Sequence, residues 1–290
     1  MAENVNEEPF DFQERIMTTL SNVEFIGASP ELSSKLFKKI KDEKAGIEEI
    51  AALILQNPPL CASLLKISNS AFYNARSVPI QSISKAILLL GFKAVANYVL
   101  AFELVGTFQA KNYRTDIDLN MFWKNSFAGA LIAQNIAADL KLPDLESVFL
   151  SGLLRNMGVL VIRQYFPEIF TKIYSLSIDE KISFSSACTS ISCLDHRYVG
   201  YLLALRWNLP SNILSVFQKA SDAGYDHTSA VMVKNIVQYA DYLLMQNKVF
   251  VWDKYYSIGD LSVELFKVFP EYSPEFINAV VAQVEGLIKL

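Results

Sequence analysis

Histidine and cysteine, the side chains most used in metal centres and nucleophilic sites, are scarce: the 290 residues include two histidines and three cysteines. Cys61, Cys188 and Cys193 show neither C-x-x-C spacing nor the spacing of zinc ligands. An odd cysteine count without a secretory signal predicts reduced, mostly buried thiols in a cytoplasmic protein. The N-terminus, M-A-E-N-V-N-E-E-P, is acidic, lacks a signal peptide's apolar core, and is expected to be a loose tail.

Excess positive charge is also missing. The net charge is −4, and the longest basic cluster, between Lys35 and Lys41, lies among acidic residues. This distribution argues against a nucleic-acid-binding surface. The chain also has no glycine-rich phosphate loop and no nucleophile elbow, so it carries no local motif of a nucleotide-binding loop or a serine hydrolase.

One long apolar stretch, residues 86–108, has the length of a membrane span. Lys93, Asn97 and Glu103 interrupt it, and Gly91 divides it. Because charges at membrane depth are costly, the stretch predicts two buried helices rather than a membrane span.

Apolar residues otherwise recur at helical spacing, with helix start and stop signals between the segments. Ser29-Pro30-Glu31 is a typical start, and Pro58-Pro59 cannot continue the helix before it. Residues 178–192 are rich in serine and look less regular. No segment alternates with a period of two, so the predicted fold is all-α. The predicted helices cover residues 12–20, 32–40, 47–54, 60–67, 83–90, 121–140, 148–166, 194–207, 213–220, 231–243, 259–269 and 273–290.

Several motifs occur in a characteristic order between residues 23 and 220. An apolar helix is followed by Gln-Asn-Pro-Pro-Leu, Leu-Leu-Lys-Ile-Ser-Asn-Ser-Ala-Phe-Tyr and Ile-Ser-Lys-Ala-Ile-Leu-Leu-Leu-Gly. Together they resemble the HDOD family, the HD-related output domains of bacterial signalling proteins. The resemblance implies an N-terminal tail with the first helix (1–22), an N-terminal helical lobe (23–112) and a degenerate HD-like lobe with C-terminal helices (113–290). The polar stretch 109–120 is the expected boundary between the lobes.

The stretch S-V-F-L-S-G-L-L-R-N-M-G-V-L, residues 147–160, resembles the second metal-binding helix of HD phosphohydrolases. In such enzymes Gly-Leu-Leu leads into adjacent His and Asp. Here Arg155 and Asn156 follow Gly-Leu-Leu. A guanidinium cannot ligate a cation, and an amide is a poorer divalent ligand than a carboxylate.

The same resemblance assigns the other family positions. The first histidine falls at Asn125, a later histidine is retained as His196, and the closing aspartate falls at Asp241. A paired-histidine position of some relatives falls near Lys219. Two ligands of the set do not close a metal site, so the resemblance implies no catalytic residues, no metal and no cofactor. The other histidine, His227, is expected in a solvated turn.

Two interpretations of this vestigial pocket stay open. Arg155 could pair with Asp241, with His196 hydrogen-bonding nearby, and simply seal the pocket. Alternatively Arg155, with Lys219, binds an anionic small molecule such as a nucleotide phosphate.

A second group, Asn69, Ser70 and Tyr73, also permits two interpretations. These residues either satisfy backbone groups at a helix end and its turn, or form a surface that a partner contacts.

The predicted function is a non-catalytic HDOD regulatory module that contacts signalling proteins in trans, without nucleic-acid or membrane partners. One alternative is a metal-dependent phosphohydrolase acting on nucleotides or cyclic dinucleotides. Another is a sensor of anionic ligands that uses the vestigial pocket. The sequence makes no prediction of oligomeric state.

Overall fold

The structure is a computed structural model that describes residues 9–22, 35–36, 39, 45–70, 72–74, 78–109, 117–192, 194–206, 209, 211–217, 228–256 and 269–287. These residues form helices and their connections, without a strand, as the all-α prediction requires. The helices are α1 Pro9–Asn22, α2 Ile47–Ile54, α3 Pro58–Ser68, α4 Ile83–Leu90, α5 Phe92–Gln109, α6 Leu119–Asp139, α7 Leu145–Leu154, α8 Met157–Tyr165, α9 Pro167–Glu180, α10 Phe184–Ser192, α11 His196–Arg206, α12 Ser211–Leu214, α13 Thr228–Gln246 and α14 Pro274–Leu287. A 3₁₀ turn, Ser215–Phe217, follows α12.

The chain divides into two compact units that are not contiguous in sequence. Unit 1 comprises Met1–Glu24 and Lys111–Tyr272, and unit 2 comprises Phe25–Ala110 and Ser273–Leu290. Helix α1 packs on α11 within unit 1, and α14 packs on α3 within unit 2. The predicted first segment, residues 1–22, lies in unit 1, and the C-terminal helix α14 lies in unit 2. The predicted lobe boundaries stay a prediction.

Local signals set the helix ends of unit 2. Asn57 caps α3 by accepting a hydrogen bond from Leu60 N at 3.1 Å, and prolines occupy the first two helical positions. Ser82 caps α4 in the same way. Gly91, at φ +81°, separates α4 from α5 at a bend of 113°. A side chain would be strained at that φ, so the predicted division of residues 86–108 at Gly91 is confirmed.

Asn69 ties the loop after α3 to the start of α4. Its Oδ1 accepts from Ile80 N, and its Nδ2 donates to Ile80 O and Leu65 O, all at 2.8 Å. The Tyr73 hydroxyl lies 3.1 Å from the Tyr98 hydroxyl, and Ser70 Oγ is buried without a hydrogen-bond partner among the described residues. These contacts match the turn interpretation of Asn69 and Tyr73; the partner surface stays a prediction.

Glycines permit close helix packing in unit 1. A Cβ on Gly152 of α7 would lie 2.8 Å from Ala130 Cα of α6. A Cβ on Gly158 of α8 would lie 1.8 Å from His196 O at the start of α11. Helices α6 and α7, and helices α8 and α11, therefore meet almost backbone to backbone.

Two predicted elements of unit 1 differ from the structure. The helix predicted over residues 148–166 is interrupted at Arg155 and Asn156, so that α7 ends at Leu154 and α8 begins at Met157. The serine-rich stretch 178–192 is largely helical, because it contains the end of α9 and all of α10. The start of α10 is stabilised by Ser183 Oγ, which accepts a hydrogen bond from Ser186 N at 3.1 Å.

Several predictions fall outside the described residues. They concern the helix start at Ser29-Pro30-Glu31, most of the helices predicted over 32–40 and 259–269, and much of the polar stretch 109–120. Cys193, Lys219 and His227 also fall there.

Length and composition alone would let the α7–α8 stretch, Leu145–Tyr165, cross a membrane. Its most apolar window is 83% buried inside the protein, as expected for a core helix. The pair α4–α5 meets the same criteria only if its two bent helices count as one span. This is weak evidence for a membrane segment.

Candidate functional site

Arg155 is the centre of the candidate site and is only 4% exposed. It lies where α7 ends, and its Nη1 donates to Gly152 O at 2.6 Å and to Ser126 O at 3.4 Å. Its Nη2 donates to Asn125 O and, at 2.5 Å, to Asn125 Oδ1. A cation that binds the last carbonyl groups of a helix also stabilises the helix dipole. The interruption between α7 and α8 is thus built around this guanidinium.

Asp241 of α13 is the charged partner of Arg155. Arg155 Nε donates to Asp241 Oδ1 at 2.7 Å, and Nη2 lies 2.6 Å from the same oxygen. Arg155 therefore makes five hydrogen bonds within the protein, as many as a guanidinium has N–H groups. The predicted pairing of these two residues is observed.

Gly129 of α6 provides the surface on which the guanidinium lies. A Cβ at this position would come within 2.8 Å of Arg155 Cζ, Nη1 and Nη2. A Cβ atom does not approach a neighbouring heavy atom that closely, so a larger residue would displace the guanidinium. Helices α6, α7 and α13 together therefore define one position for Arg155.

A cavity of about 420 Å³ lies beside the ion pair, within unit 1. Its volume falls in the usual range of small-molecule sites, about 300–1,000 Å³. Two amides and a carboxylate from the predicted site line it: Asn125, Asn156 and Asp241. The rest of the lining comes from the end of α13 and the segment after it: Leu244, Met245, Lys248, Val249, Val251, Trp252, Asp253, Lys254 and Tyr256.

Part of the hydrogen-bonding capacity of this lining is unused. The Asn156 side chain makes no hydrogen bond with the described residues, and it does not cap α8. Asn125 uses its Oδ1 for Arg155, which leaves its Nδ2 donors without a partner in the described part of the chain. Asp241 uses Oδ1 for Arg155 and no bond to Oδ2 is formed there. The cavity wall therefore offers both donors and acceptors.

His196 lies in a separate charged cluster instead of hydrogen-bonding to Arg155 or Asp241. Its Nδ1 is 3.0 Å from Asp195 Oδ1 but is not oriented for a hydrogen bond. Asp195 caps α11 by accepting from Arg197 N at 2.9 Å, and it also binds the Arg197 guanidinium. Ser185 Oγ donates to the same carboxylate. The expectation that His196 hydrogen-bonds beside the ion pair is not met, because α11 directs the ring to Asp195 and Phe184.

Burial raises the pKa of both Asp195 and Asp253, but neighbouring groups offset this effect to different degrees. Burial alone would raise the pKa of Asp195, but His196 and Arg197 outweigh it and hold that pKa well below its usual range. Burial raises the pKa of Asp253, and hydrogen bonds from Phe184 N and Tyr255 N offset only part of the effect. The charged neighbours of Asp195 thus favour its ionised form, whereas burial of Asp253 at the cavity wall disfavours its charged form.

A divalent metal does not fit the residues of the candidate site. The guanidinium of Arg155 lies against Asp241 Oδ1, so a cation on this carboxylate would stand beside a fixed positive charge. Asn125 Oδ1 is likewise bound to Arg155. Within the described ranges, no group of three or more His, Cys, Asp or Glu side chains could hold a metal ion.

Comparison with known protein families gives a match over most of the chain. Residues 26–223 match the HDOD domain family, which is more than half of the 290-residue chain. The chain belongs to the HDOD family. An uncharacterised protein of Treponema pallidum (strain Nichols) is 27% identical to this HDOD protein over 197 residues. That match covers 65% of the chain but only 37% of the length of the Treponema protein.

Solved structures share the fold. An HDOD domain protein of Geobacter sulfurreducens, described as having unknown function, aligns over 97% of this HDOD protein and 100% of its own chain, with a TM-score of 0.72 and 23% identity. A protein of Shewanella amazonensis SB2B, which carries the name Putative metal-dependent phosphohydrolase, aligns over 96% of this chain and 97% of its own, with a TM-score of 0.63 and 18% identity. At such identities the likeness establishes the fold.

The structure brings together four of the six predicted pocket residues: Asn125, Arg155, Asn156 and Asp241. His196 lies in the neighbouring cluster, and Lys219 is outside the described residues. Sequence reasoning missed Lys248, which follows Asp241 by seven residues. Leu244 and Met245, three and four residues after Asp241, share its helix face, whereas Lys248 lies just beyond the end of α13. The aromatic wall beyond α13 had no comparable sequence signal.

Proposed function

We propose that this HDOD protein is a non-catalytic regulatory module that contacts signalling proteins in trans. The supporting observation is the position of Arg155. Its charge is neutralised by Asp241, and its N–H groups are used within the protein. By the family resemblance, these two positions and Asn125 are where an HD enzyme carries metal ligands.

The donor set argues against the phosphohydrolase alternative. A bound metal acidifies the attacking water in HD chemistry, so the enzyme needs a cation at this site. A divalent ion bound to Asp241 would lie next to the Arg155 guanidinium and would be repelled by its charge. The other family ligand positions that line the cavity, Asn125 and Asn156, are amides.

Some relatives are longer than this chain. The chain spans 37% of the length of the Treponema protein. It spans 64% of a solved protein of Marinobacter aquaeolei VT8 that carries the name Putative signal transduction protein, with a TM-score of 0.64 and 17% identity. HDOD sequence can therefore form part of a longer polypeptide.

Metal content and phosphodiester hydrolysis test the non-catalytic role. We expect the purified protein to retain no stoichiometric transition metal by plasma mass spectrometry. We also expect no hydrolysis of bis(4-nitrophenyl) phosphate or of a cyclic dinucleotide with added Mn²⁺ or Mg²⁺. The matched control is Asp241→Ala, which removes the carboxylate closest to the site. Hydrolysis by the wild type that is abolished in Asp241→Ala would replace the proposal with the phosphohydrolase.

The partner is tested with purified components. A signalling protein that co-purifies with the chain is expected to rebind in isolation with a Kd of about 1 µM or tighter. Asn69→Ala and Tyr73→Phe then test whether the loop after α3 contributes to that interface. Failure of every co-purifying protein to rebind would contradict action through a protein partner.

A further inference from the structure

We propose that the cavity beside Arg155 binds a small organic molecule that joins an anionic group to a flat ring, and that Lys248 and Lys254 recognise the anion. This ligand site goes beyond the proposed function, and it rests on that proposal because it requires a cavity that holds no metal. It also assigns anion recognition to residues other than Arg155.

Arg155 is unsuited to bind a ligand directly. It is 4% exposed, and its five hydrogen bonds end on protein acceptors. A ligand anion would have to displace Asp241, which would leave a partly buried carboxylate unpaired. Arg155 therefore holds the cavity wall in place.

Lys248 and Lys254 supply the positive charge at the cavity. Both side chains are exposed and line it, and neither forms an ion pair with a carboxylate in the described part of the chain. The Lys254 ammonium lies 5.5 Å from the centre of the Tyr255 ring. Two ammonium groups on one cavity favour a phosphate or carboxylate group.

The other residues that line the cavity are mainly aromatic and apolar, and they favour a flat ring as the rest of the ligand. Trp252 is held by ring contacts to Phe122 and Phe184, at centroid distances of 5.2 and 6.1 Å, so it is a fixed aromatic wall. Leu244, Met245 and Val249 add apolar surface. The unused amide of Asn156 can bond to a polar ring edge. An inorganic anion alone would leave this surface unused.

Phenyl phosphate is the first probe, measured by isothermal titration calorimetry. We expect saturable 1:1 binding with a Kd of about 1 mM or tighter. Methyl phosphate, which keeps the anion and removes the ring, is expected to bind about fivefold more weakly. Phenol, which lacks the anion, is expected not to bind measurably. Benzoate distinguishes a carboxylate-bearing ligand from a phosphate-bearing one.

The backbone at Lys248 allows a well-matched variant. Lys248 has φ +53° just after α13, and Lys141 has φ +57° just after α6; glycine is favoured at both positions. Lys141 is exposed and does not line the cavity. Lys248→Gly should weaken phenyl phosphate binding by about tenfold, whereas Lys141→Gly should leave it within about twofold. Both variants remove one charge without straining the fold.

The outcomes separate clearly. Tenfold weakening by Lys248→Gly and by Lys254→Gln, with unchanged affinity in Lys141→Gly, supports the site. No saturable binding of phenyl phosphate or benzoate at about 10 mM overturns it, as does equal weakening by Lys141→Gly, which would indicate attraction by overall charge. Release of phenol from phenyl phosphate would contradict the non-catalytic proposal while leaving the ligand site in place, so the two failures are distinguishable.

Discussion

Arg155 Nε and Nη2 lie 2.7 and 2.6 Å from a single carboxylate oxygen, Oδ1 of Asp241. The arginine ends α7, and the aspartate comes from α13, 86 residues later in the chain. The pair joins two elements through a charge contact that is largely removed from water. Because both charges depend on each other, the pair can be tested as a unit.

Removing one member of the pair should cost more than removing both. Arg155→Met alone leaves Asp241 unpaired, and we expect a loss of about 3–5 kcal/mol in the free energy of unfolding, measured by urea denaturation. Arg155→Met with Asp241→Leu should recover most of that loss, since neither charge remains. The exposed pair Lys39–Glu49 is the control, and Glu49→Gln should cost less than about 1 kcal/mol. Equal losses for Arg155→Met and Glu49→Gln would contradict this account.

Gly129→Ala tests the surface under the guanidinium. The new Cβ would lie 2.8 Å from three guanidinium atoms, so we expect a loss of about 2–4 kcal/mol in unfolding free energy. In an Arg155→Ala background those atoms are gone, and the added methyl group should cost less than about 1 kcal/mol. An unchanged penalty in that background would show that Gly129 is required for another reason.

Gly158→Ala should be more damaging than any other alanine substitution of a described glycine. Its Cβ would lie 1.8 Å from His196 O, which is backbone and cannot rotate away, so α8 and α11 would have to separate. We expect a loss above about 4 kcal/mol, or failure to fold, seen by circular dichroism and thermal unfolding. Gly286 is the matched control, because a Cβ there meets nothing within 4 Å. Gly286→Ala should be neutral or stabilising by up to about 1 kcal/mol.

The stabilising contribution of the Asp195 carboxylate should be lost in acid. Its folded-state pKa is lowered below the unfolded value of about 3.9, so its contribution is present above that pH and is lost as the pH falls through the folded pKa. Asp195→Asn should therefore flatten the decrease in unfolding free energy below about pH 4, a change on the order of 2 kcal/mol. The slope is the relevant measurement, because the variant also weakens the α11 cap. An unchanged slope would show that Asp195 does not carry this dependence.

The two described cysteines should differ in reactivity. Burial raises the pKa of the Cys188 thiol to about 12, and this residue is fully buried. Cys61 is partly exposed, and burial raises its pKa as well. Because the thiolate is the reactive form, iodoacetamide at pH 8 should modify Cys61 well before Cys188, as followed by peptide mass spectrometry. In urea the two should react at similar rates; faster reaction of Cys188 in the folded protein would contradict its burial.

The sequence by itself determined the features that depend on neighbouring residues. Helical periodicity and capping at Asn57, Ser82 and Gly91 are local, so the all-α class and several helix ends could be predicted before any packing was known. The ordered motifs likewise pointed to the HDOD family, and the resemblance offered the pairing of Arg155 with Asp241 as one of two interpretations.

The tertiary structure alone decided what depends on distant segments. The helical periodicity of the sequence continues through Arg155 and does not predict an interruption. The break between α7 and α8 depends on α6 and α13, which supply hydrogen-bond acceptors for the guanidinium. The last helix joins unit 2 because it packs on α3. His196 turns to Asp195, while Lys248 and Trp252 meet at one cavity. These positions follow from long-range packing, which no local pattern in the chain encodes.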